Sequence, residues 1–195
     1  HRKKAENRQH MLDTAKRLFI ENGYSKTNME DIAEQAGFGV ATVYNYFKTK
    51  EGMFAAMGRD DMSEIRALGE AALADLPDDP VEAVLALLKV YLKVFEYISY
   101  AVMQEFIIQS KTSGPLHDES ERAIGWQRDQ VKIALDTAKT SGRLDSALDT
   151  SLMSYVIIDL FIRYTQRISN NRNNKHRFSE LRKIINLVLR GWQLR

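Results

Sequence analysis

Residues 27–54 read TNMEDIAEQAGFGVATVYNYFKTKEGMF, and they contain two short helical patterns on either side of a glycine-rich turn. Four apolar residues of the first pattern have the i, i+3, i+4, i+7 spacing of one helix face. They are Met29, Ile32, Ala33 and Ala36. After the turn at residues 37–39, Val43 and Phe47 lie four positions apart on one side of the second helix. Two short helices joined by a tight glycine turn form a helix-turn-helix arrangement.

The boundaries of these helices carry recognisable signals. Thr27 and Glu30 have the spacing of a capping box, which predicts a helix start at this point. Upstream, an apolar stripe stops at Gly23, and glycine is the residue that most readily ends a helix in the left-handed conformation. Thr49 is placed to cap a longer helix that begins at Lys50. The sequence therefore predicts three short helices within residues 1–50.

The remainder of the chain also has a helical period. Apolar residues recur with a spacing near 3.6, and a turn at residues 76–80 separates two helical segments. The last two predicted helices span residues 150–169 and 178–192. We therefore predict an all-α protein with a three-helix domain at residues 1–50 and a larger helical domain at residues 51–195.

Composition narrows the possible function classes. The chain has 195 residues and no cysteine, which excludes disulfides, thiolate metal sites and a cysteine nucleophile. It contains no run of about 18 apolar residues, so we expect a cytoplasmic protein without membrane contact. The formal charge of +2 is unevenly distributed: residues 1–50 carry +3, residues 51–160 carry −9 and residues 161–195 carry +8. Phosphates would be repelled by the middle segment, so a nucleic-acid contact is expected at the ends of the chain.

Several strings resemble one family closely. They are LFIENGY at 18–24, TNMEDIA at 27–33, AG at 36–37, TVYNYF at 42–47 and KEGMF at 50–54. Together they resemble the N-terminal DNA-binding domain of the TetR family of bacterial transcriptional repressors, over about residues 7–55. Beyond that region only the helical pattern and the overall length are similar. The resemblance implies a helix-turn-helix DNA-binding domain followed by a helical effector-binding and dimerisation domain.

The resemblance also implies which side chains contact DNA. Five would contact the phosphate backbone: Thr27, Asn28, Tyr44, Tyr46 and Lys50. Five would read bases: Gly39, Val40, Ala41, Thr42 and Asn45. Physical reasoning supports residues 39–42 of the second group, because small side chains at the start of a recognition helix allow close approach to the major-groove floor. The amide of Asn45 and the hydroxyls of Tyr44 and Tyr46 are able to bond phosphate oxygens.

Some of these assignments have structural alternatives. Tyr44 could instead pack on the first helix, and Thr27 could serve only as a cap. The basic N-terminal residues are expected to form a solvated, disordered end, with DNA contact as the alternative. They are Arg2, Lys3, Lys4 and Arg8.

The C-terminal helices carry more apolar residues than one stripe can hold. Such excess indicates a partner surface, and in the family the equivalent helices form a homodimer that reads a palindromic operator. The alternative is that they only close the core of the monomer.

In the middle of the chain, seven residues are candidates for an effector site. They are Tyr91, Phe95, Met103, Phe106, Trp126, Tyr155 and Asp159.

Asp159 stands out because its neighbours in sequence are apolar, which predicts a buried carboxylate. Its expected partner is Arg163, four residues later, with a cationic ligand as the alternative.

We predict a ligand-responsive transcriptional regulator, released from a double-stranded operator by a small, largely apolar effector. A helical enzyme finds little support, because the four histidines form no metal motif, and we expect no cofactor, no metal site and no catalytic residue. A helical adaptor protein without DNA binding is the remaining alternative.

Overall fold

The computed structural model describes residues 2–93, 100–111, 114–169 and 177–191. These residues form nine α-helices and a 3₁₀ turn at Leu73–Asp75, with no strand among them. The helices are α1 (Arg2–Asn22), α2 (Met29–Ala36), α3 (Val40–Phe47), α4 (Lys50–Ala72), α5 (Pro80–Leu92), α6 (Tyr100–Gln109), α7 (Pro115–Thr140), α8 (Thr150–Ser169) and α9 (Arg177–Gly191). The all-α fold class is confirmed, and α8 has the predicted bounds.

The chain divides into two compact units. The first comprises His1–Ser63 and Phe95–Glu121, and the second comprises Glu64–Val94 and Arg122–Arg195. Helices α4 and α7 therefore contribute to both. This division differs from the boundary expected after residue 50, because the first half of α4 buries Met53 and Phe54 in the core of the three N-terminal helices. A functional division at residue 50 stays a prediction.

The first unit has one apolar core. Side chains from α1, α2 and α3 meet in it, and the rings of Phe19, Tyr24 and Phe54 pack within 5.3 Å of one another, centroid to centroid. Burial, with the nearby carboxylates of Glu51 and Glu105, raises the pKa of Tyr24 to about 12. This core fixes the orientation of the helix-turn-helix.

Two ion pairs hold α1 against α4 within this unit. Arg8 Nη1 lies 2.8 Å from Asp60 Oδ2, and Lys16 Nζ lies 3.0 Å from Asp61 Oδ2. All four side chains are partly exposed, so each pair contributes modestly to stability. Their main consequence is to compensate the two carboxylates on this side of α4.

The predicted capping box at the start of α2 is wrong by one residue. Asn28 is the N-cap: its side chain accepts a hydrogen bond from the Asp31 N–H at 2.8 Å, and the Asp31 carboxylate accepts from the Asn28 N–H at 3.3 Å. Thr27 is instead buried, with its hydroxyl directed at the carbonyl oxygens of Gly23, at 2.9 Å, and Leu18, at 3.3 Å. It therefore closes the C-terminal end of α1.

In the second unit, a buried polar chain joins three helices. The Tyr91 hydroxyl of α5 donates to Gln130 Oε1 of α7 at 2.8 Å, and Gln130 Nε2 donates to the Arg66 carbonyl of α4 at 3.1 Å. Gly69 permits this approach, because a Cβ at that position would lie 2.1 Å from Gln130 Oε1. The observed position of the Gln130 amide therefore requires a residue without a Cβ at position 69 of α4.

This close approach predicts opposite effects for two similar substitutions. Gly69→Ala gains about 1 kcal/mol of helix propensity but displaces the Gln130 amide, and each lost buried hydrogen bond costs about 1–3 kcal/mol. We expect a net loss of stability. Gly125→Ala in α7 is the matched control, because nothing lies within 4 Å of its Cβ position, and we expect it to stabilise. Urea denaturation of both variants measures the difference, and an equal gain at both positions would contradict the packing argument.

Candidate nucleic-acid interface

Helix α3 divides its side chains between the core and the surface. Val43 and Phe47 are buried, as the sequence predicts. Four residues on the opposite face are exposed: Val40, Ala41, Tyr44 and Asn45. Thr42 and Tyr46 are half-buried between the two faces. The exposed face is therefore small at its N-terminal end and polar at its C-terminal end.

The turn before α3 gives this helix its direction. Gly37 has φ 70°, and its N–H donates to the carbonyls of the last turn of α2. The Phe38 N–H donates to the Ala33 carbonyl at 2.9 Å, which completes a glycine-based helix end. Gly39, in extended conformation, then precedes the first residue of α3 without a side-chain cap. A left-handed glycine at position 37 is what allows α3 to follow α2 so closely.

Two tyrosines attach α3 to its neighbours on either side. The Tyr44 hydroxyl donates to Glu30 Oε1 of α2 at 3.3 Å, and the Tyr46 hydroxyl donates to the Lys4 carbonyl of α1 at 3.4 Å. Tyr44 stays 39% exposed, so this ring lies on the surface. Desolvation and the Glu30 carboxylate raise the pKa of Tyr44 above its ordinary value.

Lys50, at the first position of α4, points back toward the turn between α1 and α2. Its Nζ donates to the carbonyls of Tyr24 and Thr27, both at 2.9 Å, and lies 4.4 Å from the Tyr24 ring centroid. Two of the three ammonium donors are therefore engaged within the protein. Thr49 caps α4 as predicted, because its hydroxyl accepts from the Gly52 N–H at 2.9 Å.

One predicted phosphate contact is corrected by the structure. Thr27 is 1% exposed and its hydroxyl already donates within the protein, so its side chain is not available to DNA. Asn28 is exposed, although its side chain also caps α2. The other predicted contacts are Gly39, residues of α3 and Lys50, and their roles in DNA binding stay predictions.

The expected disorder of the basic N-terminal residues is also wrong from Arg2 onward, because α1 begins there. Their placement supplies a feature that the sequence reasoning missed. Lys4, Ala5 and Arg8 of α1 line an open groove together with Asn45 and Tyr46 of α3. The i, i+4 spacing of Lys4 and Arg8, on one face of a helix, is the signal that could have indicated it.

The predicted effector residues do not all come together. In the second unit, Tyr91 packs edge-on against Trp126 at 5.5 Å and against Phe161 at 6.1 Å between ring centroids. Phe106 belongs to the first unit, where it packs against Phe54. Phe95 lies outside the described residues, and the side chain of Met103 does as well.

Tyr155 and Asp159 occupy the surface of α8. The expectation of a buried Asp159 paired with Arg163 is wrong: its side chain is 59% exposed and accepts a hydrogen bond from Arg128 Nη2 of α7 at 2.8 Å. The same guanidinium lies 4.0 Å from the Tyr155 ring centroid. A partner on another helix therefore compensates this carboxylate.

The part of the chain that the structure describes contains neither a candidate metal site nor a candidate membrane-spanning helix. It contains no group of three or more acidic or histidine side chains that could hold a metal ion. None of its helices combines the length and the apolar character needed to cross a bilayer.

Sequence comparison identifies related regulators. Residues 11–57 match the model of the family described as bacterial regulatory proteins, tetR family. The chain is 36% identical over 83 residues to the HTH-type transcriptional regulator AcrR of Shigella flexneri, a match that covers 43% of this chain and 39% of AcrR. It is 27% identical over 159 residues to the HTH-type transcriptional repressor KstR2 of Mycolicibacterium smegmatis, covering 80% and 76% of the two chains.

The fold is shared with solved structures. The FadR protein of Thermus thermophilus, a TetR family transcriptional repressor solved in complex with lauroyl-CoA, superimposes with a TM-score of 0.73 and 21% identity. The superposition covers 96% of each chain. The two chains therefore share a fold.

Proposed function

The chain belongs to the TetR family of bacterial regulatory proteins, and on this premise we propose that it is a DNA-binding transcriptional regulator that acts as a repressor. The observation that carries the proposal is the exposed face of α3. It presents Val40, Ala41 and Asn45 outward, with Tyr44 and Tyr46 on its two sides. No acidic residue lies within α3, so the helix can enter the major groove without repelling phosphates.

We propose that the protein binds DNA as a homodimer. Three exposed apolar or aromatic residues lie along α8: Leu152, Tyr155 and Val156. On α9, Leu187 is 75% exposed. Exposed apolar residues on the last two helices suit a self-complementary interface. Two helix-turn-helix domains related by a two-fold axis would read half-sites about one helical turn apart.

We further propose that a small, largely apolar effector binds in the second unit and releases the protein from DNA. The aromatic cluster of Tyr91, Trp126 and Phe161 supports an apolar site there. The lauroyl-CoA bound to the T. thermophilus FadR is consistent with an effector of acyl-chain character. An effector that binds the released state more tightly by about 1–3 kcal/mol would weaken operator binding roughly 5- to 150-fold.

Selection of bound duplexes from a random pool tests this function. We expect recovery of a palindromic sequence, and we expect binding to weaken steeply with salt, because phosphate contacts release counterions. Recovery of no enriched sequence, together with salt-independent retention of duplexes, would favour the adaptor alternative. Addition of lauroyl-CoA to the selected duplex complex then tests the proposed class of effector.

A further inference from the structure

The open groove between α1 and α3 suggests a function of its own. We propose that Lys4 and Asn45, held in position by Tyr46, bind a phosphate of the DNA backbone beside the recognition helix. This inference rests on the proposed DNA-binding function and extends its contact surface from α3 to α1. The groove is lined by Lys4, Ala5, Arg8, Asn45 and Tyr46.

The donors in the groove suit a phosphodiester. Asn45 is exposed at the C-terminal end of α3, one helical turn beyond Ala41, and its amide can donate to a phosphate oxygen. Lys4 supplies a cation with three donors on the first turn of α1.

The charges around the groove leave Lys4 available. Arg2 pairs with Glu6, at 3.1 Å, and Arg8 pairs with Asp60, so the two nearby acids are already compensated. Among the described residues Lys4 has no carboxylate partner, and its Nζ lies 5.9 Å from the Tyr46 ring centroid. The ammonium is therefore an uncompensated charge beside the proposed reading face.

Tyr46 acts as a positioning residue. Its hydroxyl donates to the Lys4 carbonyl, which attaches the first turn of α1 to the last turn of α3. A DNA duplex that places a base edge against Ala41 would carry its backbone past the end of α3. The attachment through Tyr46 keeps Lys4 at that location.

The salt dependence of duplex binding tests the inference. For Lys4→Gln we expect weaker binding by about tenfold, uniform across sequences, and a fall of about 0.9 in the magnitude of the log–log salt slope for each phosphate lost, or about 1.8 for a dimer. Lys4→Arg keeps the charge and is expected to retain the wild-type slope. Lys89→Gln, an exposed lysine of the second unit, is the matched control, and its slope is expected to be unchanged.

The outcomes separate this inference from the proposed function. If the wild-type protein binds duplexes and Lys4→Gln has the wild-type salt slope, the phosphate site at Lys4 is wrong and the α3 interface stands. If the wild-type protein binds no duplex, both are wrong. Thermal unfolding of Lys4→Gln at the wild-type temperature would show that a reduced slope is not caused by loss of the fold.

Discussion

Ala41→Glu is expected to lower operator affinity by about 100-fold or more, since a carboxylate forced against DNA phosphates costs several kcal/mol. Ala41 lies on the exposed face of α3, between the core-facing Val43 and the turn at Gly39. Glutamate is a good helix former, so the substitution places a charge on the surface without disturbing the helix. The loss should therefore come from the interface alone.

Ala67→Glu provides the matched control, because Ala67 is an exposed residue in the C-terminal half of α4 and belongs to the second unit. Both variants add one negative charge to an exposed helix position. Fluorescence anisotropy with a selected duplex measures the affinities, and thermal unfolding measures the stabilities. Similar affinities for the two variants would show that α3 does not enter the groove.

The helix-turn-helix was predictable because its signals are local. The spacing of Val43 and Phe47 depends only on the helix period, and the core of the first unit accepts both side chains. The left-handed Gly37 follows from the absence of a Cβ at a helix end. Periodicity and backbone geometry act within a few residues, so a single sequence carries this information.

The capping assignment failed at the same place for a tertiary reason. Thr27 and Asn28 are both good N-cap residues, and sequence alone does not rank them. The choice is made by α1, whose terminal carbonyls accept the Thr27 hydroxyl and thereby leave Asn28 to cap α2. The competing hydrogen-bond partners come from the preceding helix and are invisible to a local pattern.

Asp159 illustrates the same limit over a longer separation. Its apolar neighbours in sequence face the core on either side of it, while the carboxylate itself faces outward. Its partner, Arg128, is 31 residues away on α7. The i, i+4 spacing within one helix suggests Arg163 as the partner. Only the packing of α7 against α8 selects Arg128.

Leu187→Glu is expected to convert the proposed dimer into a monomer at micromolar concentrations. Each two-fold interface would bury two unpaired carboxylates, and an uncompensated buried charge costs several kcal/mol. We expect the dissociation constant of the dimer to rise about 100-fold or more. Sedimentation velocity over a concentration series measures this change.

Ile108→Glu is the matched control, because Ile108 is an exposed apolar residue of α6 in the first unit, whereas the proposed interface belongs to the second. It is expected to remain dimeric. Operator affinity should also fall for Leu187→Glu, since the helix-turn-helix domain of a single subunit buries only about 600–1,000 Å² of protein surface on DNA. Ala41→Glu should stay dimeric, so the two variants separate assembly from recognition. A Leu187→Glu protein that still sediments as a dimer would move the interface to another surface.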